Sequence, residues 1–205
     1  KFQYYWEYLI LVVFLESFSK DNSLIYKNID AYKSLITALE RLELMPTMSF
    51  TNLVTKTTKD NFEANLVRVL EGEEQSEIQG STKGLSIIFN LLREVCYSIS
   101  GNRKHLLIID GLDSIMTQQI RQNNIIAALI MISDTINRRF IENDIDAKVI
   151  LLCRTDLFDI LPGANLNKVK QDSALVLNLY QEGVLLNSSN LLKLINLRTK
   201  MSLGY

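Results

Sequence analysis

Two short, uninterrupted apolar runs set the narrowest limits on what this chain can fold into. Leu106 to Ile109 ends at Asp110, and Val149 to Cys153 ends at Arg154, with one long helical pattern between them. Four or five apolar residues in a row, with no polar alternation, suit a strand covered on both faces. Strands of that kind, joined through a helix, read as a parallel β-α-β unit, because parallel neighbours need a long crossover. A third run, Ala174 to Leu179, extends the pattern. The expected fold class is therefore α/β: a parallel sheet flanked by helices, in a helix-rich chain.

Composition agrees. Only eight glycines and two prolines occur in 205 residues, well under half of ordinary usage. A turn-dense β-sandwich or barrel needs more of both at its hairpins. With 47% hydrophobic and 22% charged residues, the chain is neither disordered nor fibrous. A net charge of −1 gives no global pull toward nucleic acid or an anionic membrane, though a local basic patch keeps nucleic-acid binding open. Cys96 and Cys153 both sit in apolar runs and read as buried, reduced thiols of a cytoplasmic protein. One histidine, His105, excludes a multi-histidine metal site. The apolar run Tyr8 to Leu15 is too short to span a bilayer, which needs about 20 residues. It lacks the basic leader and cleavage site of a signal peptide. The first residue is Lys1, so the chain is expected to be a piece of something longer.

Several helices are legible. Phe2 to Ser19 is apolar on nearly every face and should be buried. The aromatic cluster Tyr4, Tyr5, Trp6 and Tyr8 within it reads as core. Asp30 is the expected N-cap of a helix to about Leu44, closed by Pro46. Asn61 to Leu70 reads as a helix and Glu71 to Thr82 as a surface loop. Helical spacing returns from Gly84 to Ser100, from about Ser114 to Asn143, and from Leu191 to Lys200. Gly80-Ser-Thr-Lys-Gly84 is not a phosphate loop: no strand precedes it, and its lysine is followed by glycine.

The chemistry-bearing stretch is His105-Leu-Leu-Ile-Ile-Asp-Gly-Leu-Asp113. Asp110 falls at the carboxyl end of a buried strand, the edge where open α/β sheets bind ligands. A carboxylate there can hold magnesium directly or through water. Asp113, three residues on, can return to the same rim. Taken alone, the pattern equally describes a strand followed by a helix-capping aspartate.

With the strand Lys148 to Cys153 and its polar tip Arg154-Thr155, the stretch resembles the Walker B and sensor 1 elements of P-loop NTPases. The Asp-Gly-Leu-Asp form is most similar to the STAND/NACHT signalling ATPases, relatives of the AAA proteins. Leu161-Pro-Gly-Ala-Asn-Leu-Asn-Lys-Val-Lys-Gln-Asp172 is similar to a stretch in a group of prokaryotic P-loop ATPases. The resemblance is specific from 105 to 180. It implies ATP and Mg2+ as cofactors, with Asp110 as the metal residue and Asp110 and Gly111 at the nucleotide. It further implies that Asp113 orients water and that Arg154 or Thr155 senses the γ-phosphate. AAA proteins place a glutamate where Gly111 stands, so the implied cycle is slow and switch-like. Residues 1–182 would be a partial ATPase core and 183–205 the start of a helical lid.

In such folds the strand order is 5-1-4-3-2, and the chain would hold strands 3, 4 and 5. No Walker A sequence is present in it. The strand bearing Walker A, which lies between 4 and 5, is expected upstream of Lys1. Lys168 and Lys170 read as a solvated loop or a phosphate or partner contact, and Arg138-Arg139 as a favourable pair at a helix end. The expected function is a nucleotide-dependent switch or motor serving an appended domain. Its partners are nucleotide and either a second copy or another protein, with no membrane. The competing reading is a non-catalytic α/β interaction or scaffold domain.

Overall fold

A computed structural model describes residues 2–41, 81–112, 120–163, 165–177 and 189–203. The elements, in chain order, are α1 (Phe2–Ser19), β1 (Ile25–Tyr26), α2 (Ile29–Arg41), α3 (Ser81–Cys96), β2 (Ile99–Ser100), β3 (His105–Ile109), α4 (Ile120–Glu142), β4 (Ala147–Leu151), α5 (Thr155–Asp159), α6 (Leu166–Ser173) and α7 (Asn190–Leu203). They divide into two compact units, Lys1–Val169 and Lys170–Tyr205.

The first unit is built round α1. Ile10, Leu11, Leu15 and Phe18 are wholly buried, with Trp6, Val12 and Phe14 nearly so. A helix apolar on all faces must be surrounded, and α1 packs against α3, α4 and β3. Trp6 donates its indole N–H to the Ile125 carbonyl at 3.0 Å, which ties α1 to α4. Phe140 of α4 meets Phe14 edge-on at 4.9 Å and Tyr97 at 5.6 Å between ring centroids. The aromatic cluster divides: Trp6 and Tyr8 are core, whereas Tyr4 is 46% exposed.

One charge is buried in α1. Glu7 accepts from Arg93 Nε of α3 at 2.9 Å and from Arg139 Nη1 of α4 at 2.7 Å. Arg139 thus anchors a helix interface rather than merely complementing a helix end. Arg138 instead pairs with Asp134 one turn earlier, at 2.9 Å.

β3 and β4 form the expected parallel pair, in register from His105 opposite Ala147 to Ile109 opposite Leu151. Their inner face, with Ile109 and Val149 buried, lies against α1 and α4. Leu106 and Ile108 point to the other face and are more than half exposed. β1 and β2 make a separate, two-residue antiparallel pair.

At the end of β4 next to β3, the Leu152 N–H donates to the Ile109 carbonyl. The alternation of a parallel ladder then turns the Val149 amide away from β3. Both of its backbone groups are taken by one side chain. Asn137 Nδ2 donates to the Val149 carbonyl at 2.9 Å, and the Val149 N–H donates to Asn137 Oδ1 at 2.7 Å. An α4 side chain therefore stands where a further strand would pair with β4.

Some expectations need correction. The cap of α2 is Asn28, whose Oδ1 accepts from the Ala31 N–H at 3.0 Å, and not Asp30, which lies inside the first turn. Asn28→Ala should cost about 1 kcal/mol, read as a lowered midpoint in urea. An unchanged midpoint would remove the cap from the account. Residues 174–177, expected to begin a strand, pair with nothing among the described residues, and Leu175, Val176 and Leu177 are 59–85% exposed. A strand needs a ladder partner, and none is present here. Lys168 and Lys170 lie on helix α6 rather than in a loop. The third helix begins at Ser81 and ends at Cys96, with Ile99–Ser100 forming β2 instead. The readings of Pro46, Asn61 to Leu70 and Glu71 to Gly80 lie outside the described residues.

Candidate functional site

The carboxyl end of the β3–β4 pair collects the polar residues that the sequence singles out. β3 delivers Asp110 as its first residue past the ladder, and β4 delivers Arg154 three residues past Leu151. Asp110 falls at the register position opposite Leu152, so the two tips share one sheet edge. Strand neighbours lie about 4.8 Å apart.

Asp110 is exposed, and its Oδ1 accepts the Gly111 N–H at 2.6 Å. Gly111 has φ +79°, in the left-handed region that side chains disfavour. This is a local physical reason for glycine at this position: a Cβ there would be strained. Leu112 then dives into the core at 1% exposure and anchors the turn. Asp113, the proposed water-orienting residue, lies outside the described residues.

On the β4 side, Arg154 is the N-cap residue of the five-residue helix α5, and Thr155 is its first residue. The guanidinium turns onto Asp156, with Nε to Oδ1 at 3.1 Å and Nη2 to Oδ2 at 2.8 Å. That two-point contact holds the Asp156 carboxyl below the usual carboxylate range. Both side chains are well exposed, so the pair is hydrated and readily rearranged. Arg154 and Thr155 are thus brought to the same edge as Asp110 and Gly111, but Arg154 is engaged with its own helix turn.

Cys96 is buried, and burial pushes its thiol up well beyond the ordinary range, so it is held as an unreactive thiol. Cys153 is only partly buried, which differs from the expectation that both thiols are interior.

The sequence reading passed over two polar clusters. One is the Glu7 triad. Its signal was visible as a lone carboxylate inside an apolar helix, which can be buried only if other elements supply cations. The other gathers His105, Ser17 and Asp21 at the opposite end of β3. Ser17 Oγ is 2.9 Å from His105 Nδ1, and His105 Nε2 is 3.3 Å from Asp21 Oδ2. Ser17, in the last turn of α1, and Asp21, two residues past its end, can address one ring, but nothing in the sequence pairs them with a residue more than 80 positions away.

Among the described residues, no three His, Cys, Asp or Glu side chains are grouped to hold a metal ion, and no helix is long and apolar enough to cross a membrane. Compared with known proteins, the chain matches no family model, no curated protein and no solved structure.

Proposed function

We propose that this chain is the Walker B and sensor part of a P-loop ATPase of STAND/AAA-like type, acting as a nucleotide-dependent switch. The observation that carries the reading is the in-register parallel pairing of β3 with β4. It sets Asp110 and the Arg154-Thr155 tip on the carboxyl edge of one sheet, where α/β folds bind ligands.

The residues present fit a magnesium nucleotide in part. Magnesium in such sites takes one or two carboxylates, with phosphates and water for the rest. Asp110 offers an exposed carboxylate steadied through Oδ1 by the Gly111 N–H. Bound magnesium would supply charge neutralisation at the β- and γ-phosphates. Asp110 would hold the ion or its water. Asp113 would orient the attacking water, and Arg154 would leave Asp156 to meet the γ-phosphate, with Thr155 as the alternative sensor. The phosphates themselves require a Walker A loop, which on this reading belongs to a segment preceding Lys1. The change in Arg154 partner would be the local event that alters the posture of an attached domain.

A second reading, a non-catalytic interaction or scaffold domain, is favoured by a specific observation. Asn137 already satisfies both backbone groups of Val149 on the edge of β4 where the phosphate-loop strand would add. On the ATPase reading that amide must swing away when the strand pairs.

The two readings separate in the full-length protein. The ATPase reading expects saturable, magnesium-dependent ATP binding and slow turnover. It expects Asp110→Asn to lower turnover by at least about a hundredfold, the scale of a lost charge-stabilising group. Equal turnover in Asp110→Asn would remove the assigned role of Asp110. An absence of ATP binding would leave the scaffold reading.

A further inference from the structure

The cluster at the amino end of β3 has no part in the nucleotide reading. It lies five residues of strand, about 16 Å, from Asp110. Asp21 is buried, at 7% exposure, and its carboxylate is fixed from two sides. Oδ1 accepts both the Ser23 N–H at 2.9 Å and the Ser23 hydroxyl at 2.7 Å, with Arg103 Nε 3.7 Å away. These contacts, the Ser23 hydroxyl first, hold the Asp21 carboxyl below its usual range, so it is an anion at neutral pH.

An anionic Asp21 settles which ring nitrogen carries hydrogen when His105 is neutral. Nε2, 3.3 Å from Oδ2, must be the donor. Nδ1 then presents its lone pair to Ser17 Oγ at 2.9 Å, so the serine hydroxyl donates to it. The ring is packed edge-on against Phe18, 4.8 Å between centroids, which fixes its plane. Its side chain is 9% exposed, whereas Ser17 lies at the surface. The result is an accessible hydroxyl, a base in contact with it, and a buried carboxylate behind the base, the order that activates a serine nucleophile. The ring nitrogens are used in the reverse sense from the common serine hydrolases, which leaves the direction of proton flow unchanged. The cluster sits at the carboxyl end of α1, where the helix dipole favours the imidazolium that forms when the serine gives up its proton.

From this geometry we propose that Ser17 is an activated, acylatable nucleophile, with His105 as its base and Asp21 positioning the ring, acting on small activated carboxylic esters. Ser17 Oγ bonds to the ester carbonyl carbon as its proton passes to His105 Nδ1. The ester C–O bond breaks, and the leaving alcohol takes that proton. Water then attacks the acyl carbon, gives one proton to Nδ1, and Ser17 Oγ recovers it as the free acid departs. The net change is ester plus water to acid plus alcohol.

The test uses p-nitrophenyl acetate with the full chain. Release of p-nitrophenol is followed, and the acetylated peptides are mapped by mass spectrometry at early times. The expected result is an acetyl group on Ser17, with release slowed by about a hundredfold in Ser17→Ala and His105→Gln. Ser17 is a surface hydroxyl, so Ser17→Ala keeps the fold and remains informative if His105→Gln does not. Asp21→Asn should slow acetylation of Ser17 while leaving that of Lys193, which belongs to the other compact unit, at its original rate. A merely structural role would not split the two. Acetylation confined to lysines, or Ser17→Ala releasing phenol at the wild-type rate, would overturn the proposal. This outcome is independent of ATP binding.

Discussion

Glu7→Ala should be among the most damaging single substitutions in the chain, lowering stability by about 3 kcal/mol. The Glu7 side chain is 4% exposed, and removing it leaves Arg93 and Arg139 facing one another with no counter-charge. Breaking a buried pair usually costs about 3–5 kcal/mol, and the lower end applies because both guanidiniums keep about a third of their surface in water. Arg93 also covers Phe89 at 4.2 Å, and Arg139 covers the Tyr97 ring at 5.4 Å, so neither cation can simply swing out without uncovering an aromatic face. Urea unfolding monitored by circular dichroism measures the loss. The companion experiment replaces the whole triad with Glu7→Leu, Arg93→Met and Arg139→Met together. Apolar side chains of similar volume carry no desolvation cost, so most of the stability should return. A loss below about 1 kcal/mol for Glu7→Ala would mean the triad is wetter than its burial implies.

Phe140→Ala is expected to cost about 3–5 kcal/mol, because it empties the junction of three elements. Phe140 is fully buried, touching Phe14 and Phe18 of α1 and Tyr97 just after α3. Its neighbours Phe14 and Phe18 are held by their own burial on α1, so they refill the space only in part. For a chain of this size the loss corresponds to a fall in melting temperature of about 10 °C. Phe140→Leu should recover more than half, because it restores most of the volume but not the edge-to-face ring contacts. Equal melting temperatures for the alanine variant and the parent would place the core elsewhere.

The legible parts of the fold were those dictated by local pattern. The bounds Phe2–Ser19 follow from an apolar run long enough to make five turns of helix, and α1 has those bounds. The two strands, their parallel pairing and the helix between them follow equally directly, whereas the expected cover on both faces does not hold among the described residues, since Leu106 and Ile108 are more than half exposed. Asp110 was legible as a strand-end carboxylate because the apolar run stops there. What stayed hidden depends on distant partners. The apolar character of residues 174–177 is that of a strand, but pairing is decided by a neighbour that this chain does not provide among its described residues. The cap of α2 was misplaced by two residues because Asn28 and Asp30 are both good capping types, and only backbone angles choose between them. Arg154 was legible as a strand-tip cation, but its bond to Asp156 is a side-chain choice between neighbours that spacing does not fix.

The Asn137 amide has a consequence for how this protein meets copies of itself. An exposed sheet edge invites a strand from another molecule, and the two sides of this small sheet are unequally inviting. On the β4 side the central rung is already closed by a carboxamide of the same chain. On the β3 side no strand among the described residues occupies the edge, and Leu106 and Ile108 lie bare beside it. Among the described residues, then, the β3 edge stands open to a further strand, whereas a strand reaching the β4 edge must first displace Asn137 from Val149.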